Sequence, residues 1–328
     1  MKSLKIGDLV ARMPIVQGGM GVGISLSRLA SAVAEEGGIG VISSAGLGVI
    51  YGDYSKDYRK ASIYGLRQEL RKAREATRGI VGVNVMVAMS NFADMVRTAI
   101  AEKADIIFSG AGLPLNLPSF LAKGVKTKLA PIVSSARAAK VLCNKWFSEY
   151  GYVPDAIVVE GPKAGGHLGY KLDQLDDERF SLDAVVPQVA AEVRAFGEAH
   201  DCEIPVIAGG GIYTGEDIYR IMGLGADAVQ MGTRFVTTEE CDADERFKQS
   251  YIDAGRDDIE IIESPVGMPG RAIRNSFLDR VRQGIKRPKN CPFDCIRTCD
   301  VTHSPYCIML ALYNAFRGRL QNGYAFCG

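Results

Sequence analysis

The sequence lacks any apolar run approaching the roughly 18 residues needed to span a bilayer, and Met1-Lys2-Ser3-Leu4-Lys5 leads into no secretory apolar region. A membrane-spanning helix is therefore excluded, and a cytoplasmic location is expected. The chain also lacks an excess of charge, with 39 basic against 38 acidic residues and no long like-charge block. Without such a field there is nothing to draw a nucleic acid or an anionic membrane. The expected partner is a small-molecule or carrier-bound acyl substrate, and the expected assembly a homodimer. The dinucleotide fingerprint Gly-x-Gly-x-x-Gly is missing, since Gly18-Gly19-Met20-Gly21-Val22-Gly23 has a different spacing. Paired C-x2-C motifs are missing as well. Eight cysteines without a signal peptide argue for thiols or metal ligands rather than a disulfide framework. Histidine is scarce, with three residues in 328, so each can be weighed singly.

What is present is a repeat. Short β-branched runs alternate with helix-like stretches. Strands are predicted at Pro14 to Val16, Gly40 to Ser43, Val81 to Val85, Asp105 to Phe108, Leu129 to Val133, Ala156 to Val159, Pro205 to Ala208 and Ala228 to Met231. Helices are predicted at Leu26 to Glu36, Phe92 to Glu102, Ala136 to Phe147, Leu182 to Ala199 and Gly215 to Met222. Continuous apolar strands suit a parallel sheet covered on both faces. Eight such units favour an α/β fold of the closed (β/α)8 TIM-barrel type over a doubly wound open sheet. The repeat ends near residue 237, so residues 1–237 are expected to form the barrel and 238–328 a cap and cysteine-rich segment packed on it.

The segment Glu160 to Gly169 presents His167 on a glycine-rich turn directly after an apolar strand. Glycine lets backbone approach a flat ligand, and imidazole is suited to moving protons near neutral pH. His200, at the end of a predicted helix, is expected to face water. After the seventh strand comes Gly209-Gly210-Gly211-Ile212, and after the eighth Gly232-Thr233-Arg234-Phe235. Loops in these two places often hold a phosphate in barrels. A planar phosphorylated cofactor across the mouth, flavin mononucleotide (FMN), fits this material best. Asn84 could hydrogen-bond its ring, and Gln17 and Met20 could line its edge or face.

Five collinear motifs, Pro14 to Met20, Gly82-Val83-Asn84, Val159 to His167, Pro205 to Ile212 and Gln230 to Phe235, resemble the nitronate monooxygenase (2-nitropropane dioxygenase) family. Its superfamily includes the flavin-dependent enoyl-acyl-carrier-protein reductases. The resemblance implies an FMN-dependent TIM-barrel oxidoreductase. FMN contacts carry over to Gln17, Gly18, Gly19, Met20, Asn84, Glu160, Gly166, Gly209, Gly210, Gly211, Gly232 and Thr233, and the catalytic role to His167. The implied reaction is oxidation of alkyl nitronates to carbonyl compounds and nitrite. The alternative is NAD(P)H-dependent reduction of an enoyl thioester. The end of the chain, Asn322 to Gly328, resembles the family's segment that returns beside the flavin.

The segment with Cys291, Cys295, Cys299 and Cys307 departs from that pattern. Spacing at i, i+4 and i+8 predicts three thiols along one side of a helix begun by Pro292, with Cys307 brought back by a turn at Pro305. Soft sulfur ligands suit a [4Fe–4S] cluster or zinc, and packed uncoordinated thiols are the remaining reading. His303 is read as a loop residue, and Cys143, Cys202 and Cys241 as isolated thiols.

Overall fold

The computed structural model describes all residues except 1, 286, 287 and 289. In chain order its strands are β1 (Leu4–Ile6), β2 (Leu9–Ala11), β3 (Ile15–Gln17), β4 (Ile39–Ser43), β5 (Ile80–Met86), β6 (Ile106–Gly110), β7 (Lys128–Val133), β8 (Ile157–Glu160), β9 (Gly166–His167), β10 (Val206–Gly209), β11 (Ala228–Met231), β12 (Ile259–Glu263) and β13 (Pro269–Ile273). Strands β3 to β8, β10 and β11 are the eight predicted ones. They pair in parallel and close into a barrel, β11 against β3 (Val229 opposite Ile15) and β10 against β8 (Ile207 opposite Val158). Closure excludes the open sheet.

The period-2 alternation of strands sorts each barrel strand between two cores. Ile106 and Phe108, Val158, and Ile207 point into the barrel, while Ile107, Ile157 and Val159, and Val206 and Ala208 face the surrounding helices. The five predicted helices form at Ser27–Glu35, Phe92–Ala101, Ala136–Tyr150, Leu182–His200 and Gly215–Gly223. A sixth, Tyr58–Ala76, follows β4 and is capped by the Asp57 carboxylate, which accepts from the Arg59 and Lys60 amides. Gly40 allows the first helix to lie on β4, since a Cβ there would stand 1.8 Å from the Ala30 carbonyl oxygen.

Two additions close the barrel ends. The β1–β2 hairpin inserts Leu4, Ile6 and Ala11 into the inner core as a floor. Over the opposite end lies a three-stranded antiparallel sheet, β12–β13–β9, in which the barrel loop after β8 supplies β9 and the C-terminal region the rest. Among the described residues no helix is long and apolar enough to cross a membrane.

The predicted helix through Cys291 to Cys299 does not form; the stretch is turns and a single bridge. Its backbone groups are spent elsewhere. The Cys295 carbonyl accepts from the Ser90 amide, and the Arg297 amide donates to Ala88. Asp294 has φ of 43°, in the left-handed region that interrupts a right-handed helix.

Candidate active site

A cavity of about 690 Å³ opens at the carboxyl ends of the barrel strands, between them and the cap. This is the end at which barrel enzymes place their chemistry. Of the expected cofactor contacts, Gly18, Gly19, Met20, Asn84, Glu160, Gly166, Gly210, Gly211, Gly232 and Thr233 line it, together with His167. Two do not. Gln17 is fully buried, and its side chain braces β3 to β4, accepting from the Val41 amide at 2.9 Å and donating to the Val41 carbonyl at 3.2 Å. Gly209 is buried within β10, between Glu160 of β8 and Gln230 of β11. Both support the rim from behind.

Glycines along the rim are bare for steric reasons. A Cβ on Gly19 would stand 2.2 Å from the Asn84 Cβ. Gly210 and Gly211 have φ of 105° and 75°, and a Cβ on the former would meet the Ala164 nitrogen at 2.9 Å. The same cavity is lined by Gly232 and Thr233, which open a single helical turn. The Thr233 hydroxyl accepts from the Gly328 amide at 2.9 Å, so the chain's last residues do return beside the cavity. Arg234 does not contribute a cation to the cavity; it lies over the Tyr213 ring, 4.7 Å from its centroid.

His167 is held from three directions. Its strand pairs with β13, placing it opposite Gly270. Its Nε2 is 2.7 Å from the Ser264 hydroxyl, and the Phe326 ring meets it edge-on at 5.0 Å. Burial pushes its pKa down to about 4, so the imidazole is neutral at physiological pH. Glu160 is the opposite case: burial raises its pKa to about 7, partly offset by the Gln230 amide donating to Oε1 at 3.0 Å. A neutral imidazole and a carboxyl poised near neutrality thus share one cavity, an arrangement that concentrates at functional sites.

Ser264, Met268 and Met309 belong to no site expected from the sequence, whereas Gln230 lies in the motif Gln230 to Phe235, and Tyr324 and Phe326 lie in the C-terminal segment expected to return beside the flavin. Ser264 reaches His167 across 97 positions, and nothing local marks it.

The cysteine segment lies behind the cap. Cys291 is exposed, Cys295 buried, and Cys299 and Cys307 half-buried, all without disulfides. Burial, then the neighbouring thiols of Cys307, Cys291 and Cys299, push the Cys295 thiol up to about 12. Among the described residues, no three His, Cys, Asp or Glu side chains converge on a single-ion site. His303 is exposed and its Nδ1 pairs with Asp300 at 2.7 Å, as a loop residue. Cys143 and Cys241 are buried and Cys202 half-buried.

The nitronate monooxygenase family model matches residues 2–312. The chain belongs to the nitronate monooxygenase family. It is 28% identical over 273 residues to a Mycobacterium tuberculosis protein, (3aS,4S,5R,7aS)-5-hydroxy-7a-methyl-1-oxo-octahydro-1H-indene-4-carboxyl-CoA dehydrogenase, covering 83% of this chain and 66% of that one. A Rhodococcus jostii protein of the same name is 27% identical, with 64% of its length covered. The chain therefore spans just under two thirds of the length of these two relatives. A Staphylococcus aureus protein named "Probable nitronate monooxygenase" is 27% identical over 292 residues, covering 82% of this chain and 78% of that one. Among solved structures, FabK from Thermotoga maritima superposes with a TM-score of 0.71 at 27% identity, covering 96% of this chain and 85% of that one. A nitroalkane oxidase from Streptomyces ansochromogenes shares the fold, with a TM-score of 0.72 at 22% identity over 96% of this chain and 89% of that one.

Proposed function

We propose that this family member binds FMN in the barrel-mouth cavity and oxidises alkyl nitronates to carbonyl compounds and nitrite. The observation that carries the reading is one cavity lined by two unlike sets of groups. In the first set Gly210, Gly211, Gly232 and Thr233 offer main-chain and hydroxyl donors of the kind that suits a phosphate. The second set is neutral His167 with Gly18, Gly19 and Met20, which line the same cavity. The donor set fits a flat phosphorylated cofactor, because side chains at Gly19 or Gly210 would collide with the rim itself.

FMN, when bound, supplies the electron transfer for which the side chains here have no equivalent. The chain's own residues do the rest. Ser264 and Phe326 fix the orientation of the His167 ring, which can then accept a proton from the substrate or share a hydrogen bond with it. Asn84, two residues before the end of β5, lines the same cavity and would offer its side-chain amide to the cofactor ring. The cap strands lie over the cavity mouth.

A second reading, NAD(P)H-dependent reduction of an enoyl-acyl-carrier-protein or enoyl-CoA thioester, is favoured by the apolar wall of Met86, Met89, Met268 and Met309. Flexible thioethers accommodate acyl chains of varied shape. Anaerobic stopped-flow mixing separates the two. Bleaching of bound flavin by alkyl nitronate alone supports the first reading, and bleaching by NAD(P)H at catalytic speed supports the second. A purified chain that binds no FMN overturns both.

A further inference from the structure

Four thiols play no part in the cavity chemistry, yet two separate stretches of chain bring them together. Cys295 is fixed to the barrel by the Ser90 amide, 3.1 Å from its carbonyl oxygen, and by the bridge between its neighbour Ile296 and Met89. Cys307 caps the helix Ile308–Phe316. Cys295, Cys299 and Cys307 share one apolar cluster with Tyr58 and Phe293. Cys291 joins them, for it lies within electrostatic reach of both Cys295 and Cys307.

A second observation at the same place concerns polar groups. The Tyr58 hydroxyl is buried in that cluster within electrostatic reach of Cys295, with the Ser62 side chain and the Gly46 backbone as its hydrogen-bonding neighbours. Asn91, next in sequence to the anchoring Ser90, has both side-chain amide atoms buried with no hydrogen-bond partner among the described residues. An unsatisfied buried donor costs about 1–3 kcal/mol, and sulfur of a metal-bound thiolate or sulfide would accept it.

The geometry points to a [4Fe–4S] cluster held by Cys291, Cys295, Cys299 and Cys307. Zinc fits less well. A single zinc ion draws its sulfurs to about 2.3 Å from one point, and no three of these side chains converge so tightly among the described residues. A cubane core holds its four thiolates further apart and accepts hydrogen bonds at its sulfurs. On transfer from a preformed [4Fe–4S]2+ thiolate cluster, four protein S–H bonds break and four S–Fe bonds form, the four outgoing thiolates leave with the four protons, and the oxidation state of the core is unchanged. Ile296 and Ile308, chain neighbours of Cys295 and Cys307, line the oxidoreductase cavity. The cluster would therefore sit one residue behind the wall of that cavity.

The test uses the full chain purified without air and loaded by ligand exchange from a preformed [4Fe–4S]2+ thiolate cluster, then freed of excess cluster and assayed for metal and acid-labile sulfide. The expected result is about four iron and four sulfide per chain, with an electron paramagnetic resonance signal after dithionite reduction. Cys295→Ser should lose both, and Cys143→Ser should keep both. Should Cys295→Ser fail to fold, Cys291→Ser at the exposed position makes the same test. Absence of iron and sulfide from the loaded wild type, or stoichiometric zinc in their place, overturns the proposal. The readout requires neither flavin nor turnover, so its failure leaves the FMN reading untouched.

Discussion

At the scale of single residues, the cavity is set by where side chains are forbidden and where charge is suppressed. Gly19→Ala would push a methyl into Asn84 at 2.2 Å, and overpacking of this kind costs about 1–3 kcal/mol. A matching drop in urea stability checks it, and unchanged stability would show that the rim can shift. His167→Ala should retain FMN while turnover falls by roughly 10²–10⁴-fold, the usual range for a lost acid–base group. Unchanged turnover removes the catalytic role. Glu160 has a pH signature with a definite sign. Its folded pKa, about 7, lies above the ordinary value of 4.5. Between those values the folded state holds the proton more tightly than the unfolded chain does, so its contribution to stability is full below pH 4.5 and is lost as pH rises through 7. The gap in urea midpoint between wild type and Glu160→Gln should favour wild type most at low pH and shrink across that window. His167 runs the other way, with a folded value near 4 below the ordinary 6.5. Its contribution is present above pH 6.5 and is lost as pH falls toward 4.

At the scale of elements, the barrel depends on a hairpin that belongs to none of its repeats. Leu4 and Ile6 of β1 are buried against Phe108, Val158 and Ile207 inside the barrel. Ile6→Ala should cost about 2–5 kcal/mol, as large-to-small core changes do, measured by denaturant unfolding of the flavin-free chain. Stability within a few tenths of wild type would mean that the floor is not part of the cooperative unit. The helix Tyr58–Ala76 had a readable start signal in Asp57, followed by buried Ala61, Leu66, Leu70 and Ala73 at helical spacing. Its many charged residues hide that stripe from a search for apolar runs. The cysteine segment shows the opposite failure. Its spacing is helical, but pairing with Ala88 and Ser90 takes the backbone groups that a helix would need.

For the whole molecule, cavity and cap form one unit, since β9 comes from the barrel and β12 and β13 from the C-terminal region. Ligand that binds only the folded state must therefore stabilise all of it. FMN at a hundredfold excess over its Kd should add about 2.7 kcal/mol, seen as a rise in melting temperature. Gly210→Ala, with φ of 105° in the wild type, should lose that rise. A full FMN-dependent shift in Gly210→Ala would place the phosphate elsewhere.

The sequence by itself determined the eight barrel strands, the glycine turns at their ends and the histidine after β8. These follow from short-range rules, a period of two for buried strands and bare backbone where a turn needs positive φ. Tertiary structure alone decided that Gln17 braces β4 rather than facing the cavity, that Ser264 holds His167, and that the Cys291 to Cys299 stretch pairs with the barrel instead of forming a helix. Those outcomes turn on hydrogen-bond partners and neighbours far away along the chain, which no local pattern can encode.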